Sequence, residues 1–270
     1  MIWSTFYTLI YYIAGHLGHL RGQEISFSIA NMVSKLLVGE YHMWFIPMII
    51  GLYILTPIIK SIVTRIDVAK YFLIVLFIFS FVLPQTINII IDIAPEELSN
   101  VMNSFNTLIG NMNICMLSTY SFYFVLGYYI TNHCAKRENI RLVYTLGFVG
   151  FTVTVLLNGY MAAKYNIFGK YYNNSTINVA FEAIFIFVLF KNLRLNYNRM
   201  NDFMIKLSKY SFGAYWVHVF ILKSLHIIGI HSLAMNPLFA VPVVAILVIA
   251  LSFSISYALN KIPHLNKWIV

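Results

Sequence analysis

The stretch Tyr41–Lys60 reads YHMWFIPMIIGLYILTPIIK, an apolar run with a polar, aromatic entrance at which His42 and Trp44 stand. About 20 apolar residues carry a helix across a hydrocarbon core, and this run reaches that length. Pro47 falls in the first turn of the expected helix, where a missing N–H costs little. Pro57 falls near its end and frees a carbonyl one turn back, which in lipid needs a partner from a neighbouring helix. The span therefore reads as one packed inside a bundle.

Working outward, composition agrees. The 270 residues are 60% hydrophobic and only 10% charged, where a soluble domain carries roughly 25% charge. This predicts an all-α, polytopic transmembrane helical bundle and excludes a single soluble core. Basic residues number 18 against 9 acidic ones. In a soluble protein that balance points to nucleic acid. Here the excess sits in short loops, as the positive-inside rule requires, so no nucleic-acid partner is expected. Cys115 and Cys134 lie about one span apart, on opposite faces, so no disulfide between them is expected. The first apolar run is too long and too aromatic for a cleavable signal.

About eight spans are predicted: Ile2–Leu20, Tyr41–Lys60, Tyr71–Ile91 (bent or ended near Pro84), Ile114–Ile130, Leu142–Tyr160, Ile177–Leu193, Tyr210–Ile230 and Leu238–Leu259. Residues 21–40 read as an interfacial or re-entrant segment, and 92–113 as an acidic loop without Lys or Arg. Basic loops at 60–70, 131–141 and 191–209, with the basic tail, alternate with loops poor in Lys and Arg. All four can be cytoplasmic together, which puts both termini in the cytoplasm and the chain in the inner, cytoplasmic membrane as a multi-pass protein. No repeat or soluble domain interrupts residues 1–270, which read as one domain.

Three elements carry a resemblance. His42 with its aromatic entrance, followed by Gly51-Leu52-Tyr53 and Thr56-Pro57, resembles a signature helix of the acyltransferase-3 family of integral membrane O-acyltransferases. Leu207–Leu222, LSKYSFGAYWVHVFIL, is similar to that family's late Ser-aromatic-Gly-x-Tyr-x-x-His element, and Phe124–Ile130, FVLGYYI, to its mid-chain Gly-Tyr-Tyr helix. The end after Pro263 is also family-like. The resemblance implies transfer of an acyl group, usually acetyl, onto hydroxyls of surface polysaccharides or related acceptors. The donor would be acyl-coenzyme A (acetyl-coenzyme A), a substrate rather than a resident cofactor. Family members have about ten spans, and their first carries a His widely taken as catalytic. Set beside them, this chain reads as starting at the third span, so an N-terminally truncated acyltransferase-like domain is the expectation. His42 and His218 then take supporting parts in catalysis.

The residues themselves admit two readings each. His42 is a contact or proton relay for the acceptor sugar, or an interfacial His among belt aromatics. Trp44 is a sugar-stacking wall or a belt residue. Ser211, Tyr215 and His218 fall at i, i+4 and i+7 on one helical face, a cavity wall or a hydrogen-bonded helix contact. His218 lies on the order of 10 Å along the helix from Ser211. Glu182 is a mid-span acid that needs protonation or a partner, for which Lys223 is a candidate, and it is a third candidate for catalysis. Arg137 and Arg141, with Lys136, form a cytoplasmic cluster that would hold the phosphates of coenzyme A or simply set topology and meet anionic lipid. The cluster Arg194, Arg199, Lys206 and Lys209 reads the same way. His16 and His19 share a helix face but lack the further ligands of a metal site, so no metal is expected. No phosphate-binding loop or nucleophile elbow is present.

Two rivals stand beside the enzyme. A transporter or flippase of a lipid-linked sugar would show repeats and broken helices in matching halves, and no repeat is seen. A non-catalytic remnant of the acyltransferase is the other. Expected partners are acyl-coenzyme A, a glycan or lipid-linked glycan acceptor, and membrane lipid.

Overall fold

The computed structural model describes residues 2–19, 28–112, 118–133, 140–193 and 198–263. The helices are α1 (Ile2–His19), α2 (Ile29–Val38), a 3-10 turn (Tyr41–Trp44), α3 (Phe45–Val63), α4 (Ile66–Phe77), a π-turn (Ile78–Val82), α5 (Leu83–Ile93), α6 (Glu96–Asn111), α7 (Ser118–His133), α8 (Ile140–Tyr165), a 3-10 turn (Lys170–Tyr172), α9 (Ile177–Asn192), α10 (Asn198–Ile227) and α11 (Pro237–Asn260). No strand occurs among the described residues. A helix stands at each of the eight expected spans. Among the described residues, five segments are long and apolar enough to cross a membrane: Tyr41–Val63, Ile66–Ile93, Ile140–Tyr165, Lys170–Asn192 and Pro237–Asn260.

The third span begins earlier than expected and is not ended by Pro84. The ring of Pro84 removes one N–H and crowds the carbonyl of Ser80. The ladder widens into the π-turn just ahead of it, and the helix then resumes, which keeps Ile66–Ile93 a single crossing segment. Much of the expected acidic loop is also helical, as α6. Pro95 precedes it, Glu96 and Glu97 sit in its first turn where the dipole favours acids, and Met102 and Ile109 recur on one face at helical spacing. Ser99 donates back to Ile91 and Ala94, closing the turn against α5.

The chain forms two compact units: residues 1–48 with 195–270, and residues 49–194. In the first, α10 packs against α11 through Val217, Ile221, Leu225, Leu247 and Val248, and the Ser256 hydroxyl donates to the Tyr210 carbonyl at 2.8 Å. Tyr7, Met43 and Val219 form a second small core with Trp3, Trp216 and Phe220 around it. In the second unit the core is Ile59, Val63, Leu73, Leu76, Phe81, Phe122, Val125 and Ala180. There α8 and α9 approach closely because Gly147 and Gly150 carry no side chain. A Cβ on Gly150 would lie 2.6 Å from the Asn178 carbonyl oxygen, which is how small residues let membrane helices meet.

Candidate functional site

The first unit gathers a cluster of rings at the start of the Tyr41–Val63 span. The 3-10 turn Tyr41–Trp44 points His42 inward, where it is only 6% exposed. The rings of His218, Tyr7, Tyr215 and Tyr41 stand around it, with centroids 5.0, 5.3, 5.5 and 5.8 Å away, all edge to face. Neither nitrogen of His42 has a hydrogen-bond partner among the described residues. A buried imidazole presents two polar nitrogens, and leaving them without protein partners costs stability, a feature that functional sites often carry.

His218 is placed differently. Its Nδ1 lies 2.6 Å from the Tyr215 carbonyl oxygen. A carbonyl only accepts, so Nδ1 carries the proton and Nε2 of the neutral ring keeps a free lone pair. Two hydroxyls hold this arrangement. Tyr215 donates to the His42 carbonyl at 2.6 Å. Tyr7 donates to the Trp216 carbonyl at 2.6 Å and accepts the Phe220 N–H at 3.2 Å. An ion pair at the edge, Lys223 Nζ to Glu40 Oε1 at 2.9 Å, ties α10 to the residue that precedes the 3-10 turn.

The second unit holds its own polar chain. Glu182 on α9 accepts a hydrogen bond from the Thr154 hydroxyl on α8. Asn178 donates to Thr154 Oγ1 at 2.7 Å and to the Tyr171 carbonyl at 2.9 Å, and accepts from Gln85 at 3.0 Å. Tyr171 donates to Asp92 at 2.5 Å, and Lys170 pairs with Asp92 at 2.7 Å. The expectation that Lys223 partners Glu182 is corrected: Lys223 binds Glu40, and Glu182 has a neutral hydroxyl for company.

The model of the acyltransferase-3 family, described as an acyltransferase domain, matches residues 1–259. The chain belongs to the acyltransferase-3 family. No curated protein and no solved structure matches it. With five segments among the described residues long and apolar enough to cross a membrane, this acyltransferase-3 protein is an integral membrane protein.

Within this acyltransferase-3 chain the structure brings His42, Tyr215 and His218 together and leaves other candidates apart. Ser211 is exposed and donates to the Ser208 carbonyl of its own helix at 2.7 Å. Trp44 is half exposed, its ring 6.3 Å from that of Phe45. Arg141 is exposed in the first turn of α8. Arg137, Lys136, Arg194, Cys115 and Cys134 lie outside the described residues, as do the side chains of His16, His19 and Arg199. Lys206 and Lys209 are exposed on α10. No group of three or more His, Cys, Asp or Glu able to hold a metal occurs among the described residues. Sequence reasoning missed Tyr7 and Glu40. Tyr7 sits among many aromatics of the first helix, and no spacing rule ties it to a helix more than 200 residues later.

Proposed function

We propose that this protein moves an acetyl or similar acyl group from acyl-coenzyme A to a hydroxyl of a surface polysaccharide or its precursor. The acceptor hydroxyl oxygen attacks the thioester carbonyl carbon while Nε2 of His218 takes its proton. The C–S bond breaks, the thiolate of coenzyme A leaves, and the imidazolium returns the proton to it. The products are an O-acyl ester and free coenzyme A. The observation that carries the reading is the Nδ1 contact of His218 with the Tyr215 carbonyl, which fixes the tautomer a base needs.

In this reading His42 supports the acceptor side, Trp44 and Tyr215 wall the sugar, and Ser211 stands at the cytoplasmic approach. Arg137 and Arg141 meet the phosphates of the donor. Glu182 serves as a second polar station within the membrane. Residues 1–270 act as one acyltransferase domain in the cytoplasmic membrane with both termini in the cytoplasm. The test is reconstitution of the purified protein in liposomes with labelled acetyl-coenzyme A and an envelope glycan fraction from its own host. Base-labile label in the glycan supports the reading. Glycan crossing the bilayer with no acyl product favours the flippase, and neither outcome favours a non-catalytic remnant.

A further inference from the structure

In the second unit a cleft of about 670 Å³ opens between α3 and α7, floored by Ile59, Val125 and Phe187. One end of it is marked by Lys60 and Thr64 of α3 with Thr131 and Asn132 of α7. These belong to the last turns of two helices or the turn after them, so that end lies at the end of the apolar stretch and the remainder runs along it. Phe187 also borders a shallower cleft with Ile186, Phe190 and Lys191. Lys191 donates to the carbonyls of Ile130 and Thr131 at 2.5 and 3.2 Å, which among the described residues uses two of its three N–H donors and places its ammonium at the same rim as Asn132. Among the described residues, no carboxylate lines either cleft.

We propose that these paired clefts are a binding site for one anionic phospholipid. One acyl chain lies against Ile59 and Val125, the other on the far side of Phe187. The phosphate sits at the rim between Lys60 and Lys191, with the second amide proton of Asn132 as a neutral donor beside the one given to the Tyr128 carbonyl. Three features select this occupant. The floors are apolar and fit hydrocarbon. The two clefts share a single dividing ring, which fits two chains on one head. The rim offers two lysines and an amide donor, with no acid among its described residues, which fits a phosphate and not a zwitterion's ammonium. The site stands independently of the acyl-transfer reading.

Native mass spectrometry of the full chain tests this, with phosphatidylglycerol and phosphatidylcholine of identical chains as probes. Phosphatidylglycerol is expected to be retained one to one and in preference, with each lysine contributing roughly fivefold. Lys60→Ala with Lys191→Ala should abolish the preference, and Lys60→Arg with Lys191→Arg should keep it. Gly127→Leu, which leaves both charges in place and points a side chain towards Phe187, should lower retention of either lipid. Equal retention of the two lipids, a preference that survives the double alanine variant, or stronger retention of a long-chain acyl-coenzyme A would each overturn the proposal.

Discussion

The hydroxyl of Tyr7 joins the Trp216 carbonyl and the Phe220 amide, the acceptor and donor of one i, i+4 turn of α10. Tyr7 thereby enters the turn of α10 that carries His218. Its ring also lies edge to face with His42, so one residue of α1 touches both sides of the histidine pair.

Replacing Tyr7 by Phe keeps the ring and removes the hydroxyl. Trp216 and Phe220 each lose one side-chain partner, so the expected loss of stability is about 1 kcal/mol. Tyr7→Ala removes the ring from a buried site and should cost about 3–5 kcal/mol. Thermal unfolding in detergent, followed by circular dichroism, checks both values.

Tyr215 and Lys223 offer a contrast along the same helix. Tyr215→Phe removes a 2.6 Å bond to the His42 carbonyl and should lower stability by about 1 kcal/mol. Lys223→Ala breaks an ion pair whose lysine is half exposed, worth about 0–1 kcal/mol, and that small effect should shrink in high salt. The two variants measured at low and high ionic strength separate the cases.

The close approach of α8 and α9 predicts a sign reversal between two glycines of one helix. Gly150→Ala forces a methyl against the backbone oxygen of Asn178 and should destabilise by about 1–3 kcal/mol. Gly159 has nothing within 4 Å of its would-be Cβ. There Gly→Ala should stabilise by up to about 1 kcal/mol through helix propensity. Melting temperatures of the two variants moving in the same direction would contradict this packing.

Asn178 is the hub of the second unit's polar chain. Asn178→Leu leaves Gln85, buried beside it, and the Tyr171 carbonyl without their partner. A stranded buried group costs about 1–3 kcal/mol, so this variant should be among the least stable single changes in the chain. Proteolytic sensitivity in detergent reports it.

Much of this architecture was legible in the sequence. Long apolar runs and sparse charge marked the helices, because a membrane helix must be apolar along its whole length. The i, i+4, i+7 spacing from Ser211 through Tyr215 to His218 did place Tyr215 and His218 on one face, since helical periodicity is a local rule. Ser211 escapes it because a short hydroxyl can bond its own helix backbone instead. What stayed hidden was long-range. Nothing in local pattern links Glu40 to Lys223 or Tyr7 to Trp216. A lone acid such as Glu182 looks in need of a cation until the neutral Thr154 is found across a glycine-lined contact. The helix α6 was obscured by its polar composition, although its inward residues already fall at helical spacing.

The central claim is that His218 takes the acceptor's proton, and it is tested most directly by single-turnover acyl transfer from labelled acetyl-coenzyme A in liposomes, comparing the unaltered protein with His218→Gln. Gln fills a similar space but cannot accept the proton, so transfer is predicted to fall by about 10²–10⁴-fold while helix content and unfolding temperature stay near those of the unaltered protein. Transfer at the unaltered rate by a folded His218→Gln protein would contradict the account.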